Sequence, residues 1–272
     1  MALLKAFNKP SVLWIRVNTL KTSVSELVER LKKRGVIVEK DGELDDVLKV
    51  VRGASTLPKI PEYTRGLFYI QDKASAIVAH EVGAGERDIV LDLCSATGSK
   101  ATHAAQQYRG YVIGVDISLR RTFIERKVVE VLSLKQFIDL CVSDARYPPI
   151  RKADKIIINP DCSALGKLGH SPEIRLWIGR NHVRKYAELR KTILRNTVLL
   201  AKRDCEILYS TCTLTLEEDE NNIEEILDEF EVELANIKYR AGDNGIGLPE
   251  TMRLYPHKHD TRGFFLAKLV KQ

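Results

Sequence analysis

Hydrophobic positions along this chain change period several times, and each change predicts an element. Residues 11–17 (SVLWIRV) form a short apolar run with β-branched character. Residues 23–35 (SVSELVERLKKRG) place apolar side chains three and four apart, and residues 36–40 (VIVEK) return to extended spacing. Strand, helix and strand over residues 11–51 predict a small α+β unit. A turn-rich stretch, LPKIPEYTR, follows at residues 57–65, and then the helical pattern QDKASAIVAHEV. Beyond it, buried-strand runs (DIVLDLC, YVIGVD, FIDLCV, KIIIN and EILYS) are separated by helical stretches such as LRRTFIERKVVEVL and VRKYAELRKTILRNTVLLAKR. This alternation predicts an α/β fold with a mostly parallel sheet covered on both faces. Ligands then belong in the loops at the carboxyl ends of the strands.

Composition narrows the class. The chain has 272 residues, 44% hydrophobic and 29% charged, and no apolar run near the roughly 20 residues that a membrane helix needs. No secretory signal is visible at MALLKAFNKP, so a cytoplasmic location and no membrane partner are expected. Five cysteines (Cys94, Cys141, Cys162, Cys205 and Cys212) lack paired short spacing. This argues for reduced thiols and against a disulfide framework or a zinc site, so no metal is expected. A formal charge of +6 suits a polyanionic partner without identifying one. Arg16, Lys21, Lys32, Lys33, Arg34 and Lys40 in the N-terminal unit suit phosphate contacts, or equally the solvated face of an amphipathic helix.

Chemistry-bearing residues gather in the strand-end loops. The first strand of the larger unit runs into Asp92-Leu93-Cys94-Ser95-Ala96-Thr97-Gly98-Ser99-Lys100, a turn of small residues that lets backbone approach a ligand. It has neither the G-x-G-x-x-G nor the GK[ST] pattern. Asp116 closes the second strand and Asp144 follows the third; either can accept ligand hydrogen bonds or simply cap the next helix. The fourth and fifth strands lead into Asn159-Pro160-Asp161-Cys162 and Ser210-Thr211-Cys212. Cys94, Cys141 and Cys205 read as small buried hydrophobes. Two cysteines at adjacent strand tips are harder to assign to packing. A free thiol is only a few per cent thiolate at neutral pH and needs a nearby cation or helix N-terminus to act as a nucleophile. The helical run at residues 217–230 offers such an N-terminus to Cys212.

Several segments occur in family order and spacing: WIRVNTLKT, GLFYIQDKAS, LDLCSATGSKATHAA, DARYPPI, NPDCSALGKLGHSPEIR, ILYSTCTLTLEEDENN and RLYPHKHDTRGFFLAKL. Almost end to end, the chain resembles the Sun/Fmu family of S-adenosylmethionine-dependent RNA cytosine-5 methyltransferases. The resemblance implies a Rossmann-like methyltransferase fold at residues 65–272, preceded by an RRM-like RNA-binding unit at residues 1–64. It implies methyl transfer to carbon 5 of a cytosine in tRNA or rRNA, with Cys212 as the attacking nucleophile and Cys162 assisting product release. S-adenosylmethionine would be held by Cys94, Ser95, Ala96, Thr97, Gly98, Ser99, Lys100, Asp116, Arg121, Asp144 and Asn159. Because the target base must be unstacked to reach the thiols, Arg16, Lys21, Arg146, Lys167, His170, Arg175 and His257 are expected along the RNA path. The N-terminal unit looks shorter than in longer relatives, which leaves RNA specificity to a partner protein or to RNA shape alone.

The chain also departs from the family pattern. Asn159 stands where the family has an aspartate that serves ring nitrogen 3 of the pyrimidine, and an amide cannot deliver a proton as an acid. Asp161 replaces the proline before the cysteine and is a candidate substitute. Thr97 and Ser99 replace proline and glycine, from which a lowered cofactor affinity is expected. These departures motivate the alternative of a catalytically weak RNA-binding relative acting in ribosome assembly. Two further alternatives fit less well. An exocyclic amino-methyltransferase would need an aromatic residue after Asn159-Pro160, and a DNA cytosine-5 enzyme would leave the Ser-Thr-Cys loop without a role.

Overall fold

The computed structural model describes residues 1–149 and 152–272; Ile150, which ends the DARYPPI segment, lies outside them. A short helix α1 (Ala2–Ala6) leads into β1 (Leu13–Val17), α2 (Val24–Lys33), β2 (Ile37–Lys40), β3 (Val47–Arg52), α3 (Pro61–Thr64) and β4 (Phe68–Ile70). The four strands form an antiparallel sheet in the order β2-β3-β1-β4. Helix α2 begins where the Ser23 side chain accepts from Glu26 N, and it buries Leu27 and Leu31 against the sheet. Two of these strands, β3 and β4, go beyond the strand-helix-strand expectation. Because β4 pairs with β1, this sheet draws a strand from beyond residue 64.

The larger sheet receives α4 (Lys73–Glu81), β5 (Ile89–Asp92), α5 (Ser99–Tyr108), β6 (Tyr111–Asp116), α6 (Leu119–Val131), β7 (Ile138–Val142), β8 (Lys155–Ile158), α7 (Arg180–Leu200), β9 (Glu206–Thr211) and α8 (Glu220–Glu229). It is completed by β10 (Val232–Leu234), β11 (Asp243–Asn244), β12 (Met252–Leu254) and β13 (Phe264–Lys271). Its order is β11-β12-β13-β9-β8-β5-β6-β7, with β10 also on β13. Strands β7, β6, β5, β8 and β9 are parallel, whereas β13 joins antiparallel. The mostly parallel Rossmann-like sheet is therefore as expected, while the antiparallel edge is an addition.

Strand side chains alternate between two cores. Val90, Ile157, Leu208 and Leu266 face a cluster shared with α4 and α5, whereas Leu91, Ile156, Ile207 and Phe265 face Ile193, Leu194 and Ile223 of α7 and α8. The first cluster also takes Trp14 and Val47 from the small sheet, so the two units share one core. Polar ties reinforce this seam: the Asn18 amide donates to the carbonyls of Gly66 and Leu132. Gly66 has φ +66°, and a Cβ there would lie 2.3 Å from Val131 O. Only glycine allows that approach.

Candidate active site

The tips of β8 and β9 are neighbours, since Ile158 pairs with Tyr209. This puts the loops that carry Cys162 and Cys212 side by side. Gly166 N donates to Cys212 O at 3.0 Å, and Gly263 N donates to Gly166 O at 2.9 Å. A Cβ on Gly166 would come within 2.0 Å of Gly263 O and 2.8 Å of Cys212 O, so the absence of a side chain lets three loops close on one another. Ser163 and Thr213 share a hydroxyl hydrogen bond at 2.6 Å, and Glu218 accepts from Ser163 N at 3.0 Å. Beneath them the buried Arg190 donates to Pro160 O at 2.7 Å and to Asp161 O at 3.0 Å, holding the Cys162 loop from below. The outcome is a pair of buried, reduced thiols with sulfurs 2.8 Å apart.

The two thiols are not equivalent. Cys212 is held below the ordinary thiol range, first by the hydrogen bond from Cys162 and then by the positive charges of Lys167 and Arg190, against the effect of burial. Cys162 moves the other way, because its proton is committed to Cys212 and burial disfavours its own anion. Ionisation at this pair therefore settles on Cys212. Its cations come from Lys167 and from Arg190 rather than from the N-terminus of α8. There Asp219 and Glu220 are occupied by Arg253, which lies 2.6 Å from Glu220 Oε1 and 3.4 Å from Asp219 Oδ2.

Around the thiols opens a cleft of about 800 Å³, lined by strand-end loops and by Trp14, Tyr69, Gln71, Tyr186, Arg262 and Phe264. The segment from residues 92–100, Asp116, Arg121, Asp144 and Asn159 border the same cleft; Gly98, behind the lining, starts α5 with φ +93°. Asp92 is fully buried, one carboxylate oxygen has no partner, and burial raises its pKa to about 6. Ser95 donates to Glu125 at 2.8 Å, and burial pushes that carboxyl up to about 8. Asp92 opens the strand-end motif, whereas no motif announces Glu125, which lies in a helix whose other acid, Glu130, is exposed.

Asn159 and Asp161 separate in space. The Asn159 carbonyl accepts from Lys100 at 2.8 Å, and its amide donates to Ser210 O at 2.7 Å and to Ser210 Oγ at 3.0 Å. Asp161 is largely exposed and pairs with Arg121 at 3.0 Å, while Arg121 Nε also donates to Asp116 Oδ1 at 3.1 Å. The expectation that Asp161 takes over the missing acid finds no support in its contacts: it borders the same cleft, but its carboxylate is engaged by Arg121 rather than by the Asn159 amide. The helix-capping alternative does not hold for Asp116: it accepts from Ser118 N at 2.8 Å, but the cap of α6 is Ser118, whose hydroxyl accepts from Arg121 N at 3.3 Å.

The expected RNA-path residues divide. Arg146 and Lys167 border the cleft, and Arg146 pairs with Asp144 at 2.6 Å. Arg16 is corrected: it is fully buried, facing inward from β1 to Thr102 Oγ1 at 3.2 Å and Ser99 O at 3.4 Å, and cannot meet RNA. Lys21 donates to the carbonyls of Arg65 and Val131 and ties loops together. Arg175 donates to Phe7 O and Asn8 Oδ1. His170 and His257 are exposed outside the cleft lining. Arg190 and Arg253 were missed; the only sequence signals are a cation on the apolar stripe of α7 and the arginine of RLYPH.

A mostly parallel sheet with a cleft at its carboxyl edge and a helix-starting glycine loop places the chain in the Rossmann-like class, whose ligands bind at the strand ends. The chain matches the family described as 16S rRNA methyltransferase RsmB/F over residues 81–270, and it belongs to that family. Residues 1–56 match the ferredoxin-like domain of the same family. A tRNA (cytosine(72)-C(5))-methyltransferase from Pyrococcus horikoshii is 33% identical over 222 residues, covering 79% of this chain and 55% of that protein. The 28S rRNA (cytosine(4447)-C(5))-methyltransferase of Homo sapiens is 27% identical, covering 98% of this chain and 35% of that protein. The chain thus spans about half the length, or less, of these relatives. The crystal structure of NSun6 from Pyrococcus horikoshii with SFG is 25% identical and superposes with a TM-score of 0.91, over 99% of this chain and 93% of the other. No helix among the described residues is long and apolar enough to cross a membrane.

Proposed function

We propose that this chain transfers a methyl group from S-adenosylmethionine to carbon 5 of a cytosine in tRNA or rRNA. The observation that carries this reading is the Cys162–Cys212 pair, with sulfurs 2.8 Å apart and only one of them disposed to ionise. Carbon 5 of cytosine is too weak a nucleophile by itself. A thiolate that adds to carbon 6 makes it one, and the adduct must afterwards lose its carbon-5 proton and expel the thiol. Cys212 suits the first task, because Lys167 and Arg190 favour its anion. Cys162 suits the second. Once Cys212 is bonded to carbon 6, its anion no longer holds the Cys162 proton, and Arg190 and Lys167 favour a Cys162 thiolate. That thiolate can take the carbon-5 proton as the 5,6 double bond re-forms and the carbon–sulfur electrons return to Cys212. A single nucleophile with no partner would form the same adduct but has no evident means of release.

The cleft fits the cofactor. Acceptors stand at successive strand ends in Asp92, Asp116 and Asp144, with Lys100 available to a carboxylate and one Asp92 oxygen lacking a protein partner. When bound, S-adenosylmethionine supplies an electrophilic methyl on a sulfonium. Support also comes from names: relatives are called cytosine-C5 methyltransferases of tRNA and of rRNA, and one similar structure was solved with SFG. The alternative of a weak RNA-binding relative acting in ribosome assembly draws on Asn159, whose amide offers no acid. Calorimetry with S-adenosylmethionine separates the two, since an active enzyme must bind it. The proposed function is tested by bisulfite sequencing of RNA from cells with and without the gene. One cytosine that loses protection is expected, and an unchanged pattern overturns the proposal.

A further inference from the structure

Away from the cleft, at the seam between the two units, four side chains converge. Asp46 lies in the loop before β3, His80 on α4, and His103 and Gln107 on α5. His80 Nε2 is 2.9 Å from Asp46 Oδ1, and His103 Nε2 is 2.9 Å from Asp46 Oδ2. Gln107 Nε2 is 2.7 Å from Asp46 Oδ2, 3.1 Å from His80 Nε2 and 3.3 Å from His103 Nε2. Asp46 can accept from both imidazoles, from Gln107 and, at 3.2 Å, from Gln106, but this crowds donor nitrogens 3.1 and 3.3 Å apart around one carboxylate. If both imidazoles donate to Asp46, neither has a lone pair for Gln107, and donor nitrogens face one another. If either accepts from Gln107, its lone pair faces the carboxylate.

A cation at the centre removes the conflict. Both imidazole nitrogens then present lone pairs, the carboxylate gives an oxygen, and a 180° turn of the Gln107 amide, which preserves its shape, gives Oε1. Four ligands about 2.0 Å from a tetrahedral ion sit roughly 3.3 Å from one another, so the side chains, now 2.7–3.3 Å apart, would open by a few tenths of an ångström to admit it. We propose that Asp46, His80, His103 and Gln107 form a binding site for a divalent transition metal, with zinc the ion that two imidazoles and two oxygens suit best. The sequence offered no metal signal because the ligands come from three separate segments. His80 is half-buried, which leaves a path of entry. Two features lower the affinity: His103 Nδ1 has no hydrogen-bond partner, and Arg16 brings a second positive charge near the cluster. Micromolar binding is therefore expected. Its structural effect is to pin the small unit to α5, the helix that begins at the glycine loop of the cleft.

The test uses the full chain stripped with a chelator and dialysed. Calorimetry with zinc chloride and elemental analysis after gel filtration should give one equivalent of zinc. Saturating zinc should raise Tm by about 5 °C or more. His80→Ala and Asp46→Asn should each lose the equivalent, whereas Cys162→Ser/Cys212→Ser should retain it. A wild-type protein that takes up no zinc and shows no rise in Tm overturns the proposal, whatever the variants do. So does zinc that survives in His80→Ala and disappears when the cysteines are replaced, which would place the ion on the thiols.

Discussion

Lys100 Nζ donates to Asn159 Oδ1 at 2.8 Å, and the same amide is anchored through its NH₂ group to Ser210. Position 159 is thereby wired between the helix of the glycine loop and β9, the strand that leads into Cys212. An aspartate at this position would keep the Lys100 contact but set its second oxygen against Ser210 O, where only a protonated carboxyl is comfortable. Asn159→Asp is expected to raise single-turnover methyl transfer and to cost about 1–3 kcal/mol of stability in denaturant unfolding. An unchanged or lower rate would show that no acid is missing here.

The unequal thiols predict opposite phenotypes. Cys212→Ala should abolish methyl transfer, whereas Cys162→Ala should accumulate a covalent RNA adduct visible as a shifted band in a denaturing gel. An active Cys212→Ala protein, together with no shifted band from Cys162→Ala, would refute the assignment.

Lys167 is assigned the role of stabilising the Cys212 anion. Replacing it with methionine should move the midpoint of iodoacetamide alkylation at Cys212 upward by about 1 pH unit or more, as loss of an adjacent opposite charge does. A midpoint that stays in place would make Lys167 a bystander.

Glu125 titrates from about 8 in the folded protein against 4.5 for the free side chain, because burial disfavours its anion. Between these values the folded state holds a proton that the unfolded chain releases, so stability must fall as pH rises through this window. Asp92, raised to about 6, adds the same trend at the lower end. The buried Asp219, also raised to about 8, contributes in the same direction, so urea unfolding of the apo protein from pH 5 to 8 should show a loss of a few kcal/mol, of which Glu125→Gln should remove a part. Equal slopes in both proteins would exclude Glu125 as a source.

Gly166 is expected to tolerate no side chain. Gly166→Ala forces the loops of Cys162, Cys212 and Gly263 apart and should destabilise the protein by about 1–3 kcal/mol while slowing adduct formation. Normal adduct kinetics with a normal Tm would mean that the loops have slack.

Much of the architecture was legible because helix and strand periods differ so clearly in the larger unit: every strand from β5 to β9 falls on an apolar run. Strands β10 to β13 were not singled out because they are short or pair antiparallel at an edge, and no alternation with helices marks them. Arg16 misled for a specific reason. Its strand has no solvent face: Trp14, Ile15, Arg16 and Val17 are all buried, so a cation that looks exposed by composition is turned towards α5. Asp161 misled because adjacency in sequence is not adjacency in space at a loop. Arg190 was hidden because it is one of six cations along α7, and cations in a helix normally lie on its wet side, whereas this one is spent on loop carbonyls.

The buried guanidinium of Arg16 also limits what can be done with the chain as an engineering object. Its grip on Ser99 and Thr102 in the first turn of α5, the Asn18 clasp and the shared core with Trp14 mean that the small sheet is not a cassette to be cut off or exchanged. Expressing residues 65–272 alone would remove β1 from beside β4, bare an apolar face and strand a helix against water. The piece that reads as a separable RNA-binding module is, mechanically, one wall of the body that holds the cleft, and grafting another specificity onto this scaffold would have to work by recutting its outer loops.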